Sequence, residues 1–567
     1  MKIKNKHLQL FSIPLLMVVV LAGCNKDFLT KPPSDSIVDA NFYKTDEQVL
    51  AATALLYNKV WFDYNDKASF AIGDFRGGDV KSDYNQQDNV RFNTTGVTPE
   101  NGASWRSFFI VVGQANQAII NINKYATSTV SPAIKKMGIA EARFMRALAY
   151  RYLVMNWGEV PVIENNLTLL SDTSISRNTI PSVWKFITSE MKAAAADLPE
   201  TAVRPGRLTR WSAEGMLARF YLTRAGVAAN GAGTRDQVFL DSAKYYAESV
   251  IQNSGKSMLK NYADLFLFPY DNNAESLFSL QWVYAPGSYG TQNSAPAQLG
   301  FSPDIANGDG WGGDFGATWW MIKQYEGFEQ VGGIDPQKGD TLLRGRTIDQ
   351  RLKASFMLPG FSYPEISQTI HNPEGEQKLV FPYRTGDVNW LSIKKYVTGK
   401  AKDVGGQSAQ QNYGNDTYMQ RFSEMYLIYA EAVLGNNAST SDAVAMKYFN
   451  KVHMRAGLPE VILPLTADVL FRERVIEFAM EGQCWYDIVR LHYYNKAKAY
   501  TILNSQDRGV FAAIPDQFPN PTTWTFRKTP WATTNRKILA NDGNFRLPIP
   551  TAELSQAPNL LKPAVDY

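Results

Sequence analysis

The chain has 567 residues, 45% of them hydrophobic and 20% charged, with a formal net charge of +4. That length and apolar content suffice for a large packed core, and no dense Lys/Arg cluster marks a nucleic-acid surface. Two cysteines leave room for one disulfide at most.

Lys2, Lys4 and Lys6 precede an apolar run from Leu8 to Leu21, interrupted only by Gln9, Ser12 and Pro14. This is the charged start and short apolar middle of a secretory signal, and it is too short to span a bilayer. It ends in Leu21-Ala22-Gly23-Cys24, where small residues precede a cysteine as a lipoprotein signal peptidase requires. Residues 1–23 are therefore predicted as a signal peptide and Cys24 as the lipid attachment point. Removal of the three lysines lowers the charge from +4 to +1. Cys484 would then have no partner for a disulfide, and stability must come from packing. No second long apolar segment follows, so a soluble body tethered by acyl chains is expected.

Residues 24–36 are polar, contain Pro32-Pro33 and read as an extended leader. From Asp46, Val49, Ala52, Leu55 or Leu56, and Val60 recur at helical spacing, as do Phe108, Val111 or Val112, Ala115, Ile119 and Ile122 within residues 104–125. The clearest predicted helix covers residues 139–157. Phe144, Leu148, Tyr152 and Met155 form its stripe, and Ala140, Ala142, Ala147 and Ala149 keep its other faces thin for close packing. Gly158 closes it and Pro161 prevents its resumption. Further helices are predicted at 182–197, 211–225, 240–254, 418–434, 442–456 and 467–480. Paired by short polar turns, they indicate a mainly α protein, a scaffold of helical hairpins like tetratricopeptide repeats with long irregular loop insertions.

Residues 37–271 form the first helical region and 412–567 the second, with a loop-rich insertion at 272–411. There Gly and Pro thicken, and Trp282, Tyr284, Tyr289, Trp311, Trp319, Trp320, Tyr363 and Trp390 crowd the loops. A second irregular stretch, residues 504–544, carries Trp524 and Trp531. Aromatic loops on a helical frame are a usual way to carry a binding site.

Several segments together resemble the SusD/RagB family of outer-membrane nutrient-binding lipoproteins. They are Asp27-Phe28-Leu29-Thr30 with Pro32 after Cys24; Ala140 to Tyr150 running into Trp157-Gly158-Glu159-Val160-Pro161; and Arg421 with Glu424 to Ala432. The others are Asn450-Lys451-Val452 with Arg455 to Pro459; Arg472 to Arg490; and Leu547-Pro548-Ile549-Pro550 with Glu553, Pro558-Asn559-Leu560 and Tyr567. The resemblance implies a tetratricopeptide-like fold and a place on the extracellular face of the outer membrane. It also implies a SusC-like TonB-dependent transporter as partner and a role in capturing glycans, or peptides in some members. Lys26-Asp27 resembles the surface-export signal of such lipoproteins. On their own reading, Arg143, Arg146, Glu424, Glu431, Glu473 and Glu477 are charges that pair across helix contacts. Gly482 is expected to end a helix, with Trp485 packing back on it.

Nothing in the sequence calls for a cofactor, a metal or catalysis. His7, His371, His453 and His492 are scattered, and no Cys-x-x-Cys, His-x-x-x-His, Gly-x-Ser-x-Gly or phosphate-loop pattern occurs. Asp304 to Gly310 misses the EF-hand spacing and reads as a tight turn. Sugars present flat C–H faces and hydroxyls, so a binder needs exposed rings beside polar side chains. Two regions supply both: Asp74, Arg76, Asp79 and Asp83 on a Gly-containing segment, and the aromatic set Trp282, Tyr284, Tyr289 and Trp311. Trp311 lies among Gly310, Gly312 and Gly313, where no regular element would bury it. Of Trp282 and Tyr284, one is expected to face the core, as is at least one of Trp319 and Trp320. Trp61, Trp105 and Trp157 are assigned to packing. The alternatives are peptide capture, a lipid-anchored glycosidase, and a helical scaffold with no small ligand.

Overall fold

The structure, a computed structural model, describes residues 42–170, 174–285, 287, 289–334, 341–368, 377–382, 391–509, 511–528 and 538–567. Cys24, Lys26, Asp27, His371, Trp390 and Trp531 lie outside the described residues.

The longer helices are α1 (Asp46–Ala54), α2 (Pro99–Tyr125), α3 (Pro132–Trp157), α4 (Ile180–Asp197), α5 (Arg210–Arg224), α6 (Gln237–Asn253), α7 (Phe422–Leu434), α8 (Ala443–Arg455), α9 (Ala467–Glu477), α10 (Cys484–Tyr494) and α11 (Lys496–Ser505). Each from α2 to α7 packs on the next, so this part of the chain is a stack of helices. The centre of the stack is α3. The Ser131 hydroxyl accepts from the Ile134 amide at its start, Pro132 occupies its first turn, and Gly158, at φ +80°, ends it. Ala140, Ala142, Ala147 and Ala149 are all buried, as the thin faces require. Trp61, Trp105 and Trp157 are core residues.

Where α6 gives way to the insertion, the chain leaves the stack and later returns to it. Strand Ser276–Leu280 pairs antiparallel with Thr417–Arg421, Leu280 opposite Thr417. Residues 418–421, expected as the first turn of a helix, thus belong to a strand, and α7 begins only at Phe422. The insertion also contributes Phe328–Ile334 and Thr341–Gly345 to a four-stranded sheet with Phe511–Pro515 and Trp524–Lys528.

Two other expectations change. The helix predicted over 467–480 stops at Glu477, and Gly482 (φ +65°) lies beyond it, just before α10. Trp485 therefore sits inside a new helix, fully buried against Phe92 and Phe545. The singled-out charges pair in the interior. Arg219 and Arg474 hold Glu424, Arg235 and Arg490 hold Glu431, and Arg351 joins Glu473 to Glu477. Arg146 pairs with Glu190. Burial alone would raise the Glu424 and Glu431 carboxyls, but their guanidinium partners outweigh it and bring both down to about 2.

Candidate functional site: an aromatic face on linked loops

Tyr289 is 70% exposed, and it does not stand free. Its ring meets Phe62 edge-on at 4.9 Å, and Phe62 in turn lies 6.5 Å from Trp282. Trp282 is buried, its indole N–H donating to Thr417 Oγ1 at 3.0 Å. The Thr417 hydroxyl donates to Asn65 Oδ1, and the Asn65 amide to Asn293 Oδ1, both at 2.8 Å. The expected ligand contact at Trp282 is therefore corrected: its N–H needed a buried acceptor, and it acts as the prop beneath Phe62 and Tyr289. Tyr284, half-buried, backs onto Gly414, where an added Cβ would come within 3.3 Å of Tyr284 Cβ. Partial burial, then Asp66 and Asp63, raises the Tyr289 phenol above its ordinary value, so it remains a neutral hydrogen-bond donor.

Trp311 is 45% exposed and perches on the short helical turn Ala295–Leu299. Its amide donates to Ala297 O at 3.3 Å, and the Gly312 amide donates to Gly300 O at 2.9 Å. Both flanking glycines are needed for this approach. A Cβ on Gly310 would fall 2.5 Å from Pro303 N, and one on Gly312 2.4 Å from Leu299 O. The same turn reaches the Tyr289 support, because Gln298 Nε2 donates to Asp66 Oδ1 at 3.0 Å. Asp309, in the segment read as a tight turn, accepts from the Gln411 amide at 2.6 Å. Among the described residues no cluster of His, Cys, Asp or Glu could hold a metal ion.

A third exposed ring, missed in the sequence, is Tyr84 at 81% exposure. Asp314 links its segment to the loop that carries Trp311. The strands Val80–Lys81 and Gly316–Ala317 pair antiparallel, bringing residues 82–85 to the end of the Trp311 loop. There Asp314 Oδ2 accepts from Ser82 Oγ and from the amides of Asp83 and Tyr84, each at 2.9 Å. Lys81 Nζ donates to Asp83 Oδ2 at 2.6 Å and to Asp314 O at 3.0 Å. The signal was present: an aromatic residue between turn-forming polar residues, as at Tyr289.

Asp74, Arg76 and Asp79 do not join this face; all three are buried. Their segment winds helically through Ala71–Phe75 and packs on residues 482–485 so closely that a Cβ on Gly73 would lie 2.3 Å from Gly482 Cα. Arg76 donates to the carbonyls of Asn544 and Phe545 at 2.6 and 2.9 Å and lies over the Phe92 and Trp485 rings. Asp74 accepts from the Gly482 amide and Asp79 from the Met480 amide. These charges join the start of the chain to its last third, and the glycines that suggested a loop mark that close contact. Burial, together with Asp74's neighbour Asp79, pushes the Asp74 carboxyl up, and burial takes Asp79 up to about 7.

Residues 274–565 match the SusD family, and residues 30–222 match the family described as starch-binding and associating with outer membrane. A SusD-like protein of Bacteroides ovatus is 35% identical over 576 residues, covering 100% of this chain and 98% of its own. This chain belongs to the SusD/RagB family. Its mainly α SusD architecture superposes on a crystal structure with xylogluco-oligosaccharide at a TM-score of 0.78 and 33% identity, covering 92% of this chain and 99% of that one. The starch-binding protein SusD of Bacteroides thetaiotaomicron is 23% identical over 377 residues, 63% of this chain and 65% of its own. A laminarin-binding SusD-like protein shares the fold at a TM-score of 0.64 and 20% identity, covering 91% of this chain and 98% of that one.

Proposed function

We propose that this SusD-like chain binds an oligo- or polysaccharide at the cell surface and passes it to a SusC-like TonB-dependent transporter. In this reading lipid on Cys24 holds it to the extracellular face of the outer membrane. The observation that carries the reading is the trio of exposed rings, Tyr84, Tyr289 and Trp311, fixed on loops that are bonded to one another at their bases. Rings held out from a rigid base stack on the C–H faces of sugars without first having to be ordered. Asp63, Asp66 and the neutral Tyr289 phenol stand ready to direct hydroxyls. The xylogluco-oligosaccharide complex of a relative one-third identical supports a glycan as ligand. No catalytic role is assigned to any residue.

The test is calorimetric titration of the protein with xylogluco-oligosaccharide, laminarin and starch fragments, and with a peptide mixture, alongside a Trp311→Ala variant. Saturable glycan binding that weakens in the variant at unchanged melting temperature is expected. Binding of the peptides alone would favour the peptide-capture reading, and release of new reducing ends from a bound glycan would make the protein a glycosidase. Co-purification of the membrane-extracted protein with a TonB-dependent transporter tests the partner.

A further inference from the structure

Away from the aromatic face, a cavity of about 440 Å³ opens where the end of α3, the start of α4, the loop after α5, the α10–α11 junction and residues 542–546 meet. That volume is within the usual range for small-ligand sites. Ile180, Pro181 and Val227 give it an apolar wall, and two cationic side chains enter over bare backbone. A Cβ on Gly158 would lie 2.0 Å from Arg546 Nη1, and one on Gly231 would lie 2.9 Å from Lys496 Cδ.

Two carboxylates and two cations line the cavity, and Arg177 beside it brings one cation more than the carboxylates need. Glu159 is held by Arg177 at 2.8 Å, and Asp542 by Lys496 at 3.1 Å and by the Tyr500 hydroxyl at 2.6 Å. His492 stacks on Phe545 at 3.9 Å and bonds Tyr500 at 3.1 Å. Burial and the Arg546 cation bring His492 down to about 4, so it adds no charge near neutrality. Both carboxylates thus have cations of their own. Arg546, half-buried, makes no hydrogen bond or ion pair with any described residue, and its guanidinium is left over.

We propose that this cavity is a second ligand site, which takes a single carboxylate carried on a pyranose-sized ring, as in a uronate residue. The Arg546 fork matches a carboxylate with two parallel N–H···O bonds. The apolar wall accepts the C–H face of the ring, and the rim of Tyr500, His492 and Asn230 offers partners to its hydroxyls. A neutral sugar would leave the guanidinium unanswered, and a bare inorganic anion would leave the wall uncovered.

The experiment is titration of the protein with D-glucuronate, D-glucose and inorganic phosphate, followed by NMR or calorimetry, with and without saturating xylogluco-oligosaccharide. Glucuronate is expected to bind at least about tenfold more tightly than glucose or phosphate, and to do so whether or not the oligosaccharide is present. Arg546→Gln should remove that preference. Ala228→Trp, which puts a large ring on an exposed lining residue and spares the cation, should abolish binding; melting curves check that both variants fold. Absent glucuronate binding, equal binding of phosphate, unchanged binding in Arg546→Gln, or displacement by the oligosaccharide would each overturn the proposal. The outcome does not depend on whether the aromatic face binds glycan.

Discussion

Trp282 and Trp311 differ in burial because of what surrounds each indole. Trp311 was legible because glycines on both sides deny it a helix or strand to hide in. That one of Trp282 and Tyr284 faces the core was legible too, but not which one, because the groups that bury Trp282, Thr417 and Phe62, come from far along the chain. Substitution separates the two. Tyr84→Ala or Trp311→Ala should weaken glycan binding by about 1–2 kcal/mol, a roughly 5- to 30-fold rise in Kd, with an unchanged melting temperature. Trp282→Ala should instead destabilise the fold by about 3–5 kcal/mol, as deletion of a buried aromatic ring does, and lower the midpoint of denaturant unfolding. Asp74, Arg76 and Asp79 were misread for a related reason. Polar residues beside glycines suggest an exposed loop, and only the tertiary contact with residues 482–485 reveals a buried strut.

Among the elements, the helices were the most legible part, since periodicity and caps are local. The end of α3 and both ends of α4 were placed within two residues, where Pro, Gly and the apolar stripe coincide, whereas α3 starts seven residues before the predicted 139. What local pattern could not supply was the strand Thr417–Arg421, which exists because Ser276–Leu280 pairs with it, nor the separation of α10 from α9. The same limit applies to the site. No periodicity announces that Asp314 clasps residues 82–85, although that clasp decides where Tyr84 stands. Asp314→Ala should therefore lose as much glycan affinity as Tyr84→Ala. The two changes should not add in a double-mutant cycle, because the second removes what the first has already disordered. Full additivity would mean that Tyr84 holds its place without Asp314.

For the molecule as a whole, the buried charges set a stability that falls at both ends of the pH range. Glu424 and Glu431 have folded-state values depressed to about 2 by their arginine partners. Their contribution is present above the ordinary carboxyl range and is lost as pH falls toward 2. Asp79 is shifted the other way, to about 7, by burial. Its contribution is complete at pH below about 4 and is lost as pH rises through 7. Melting temperature should thus drop on acidification below about 4.5, and Asp79→Asn should flatten the decline between about pH 4 and 7. An unchanged slope in that variant would assign the decline to other groups. Among the described residues no helix is long and apolar enough to cross a membrane.

The ladder between Ser276–Leu280 and Thr417–Arg421 has a consequence in polymer terms. It fixes the two ends of residues 281–416 one strand spacing apart, about 4.8 Å, while Arg351 beside Glu473 and Arg344 opposite Thr525 tie the excursion back to the rest of the chain at further points. For a flexible loop closed at its base, the entropic cost grows only with the logarithm of contour length, about 0.6 kcal/mol per doubling. Residues can accordingly be added to or removed from the excursion at little cost to the α6–α7 contact. Between those ties the excursion that carries Tyr289 and Trp311 can differ in length while the scaffold beneath it keeps a constant geometry.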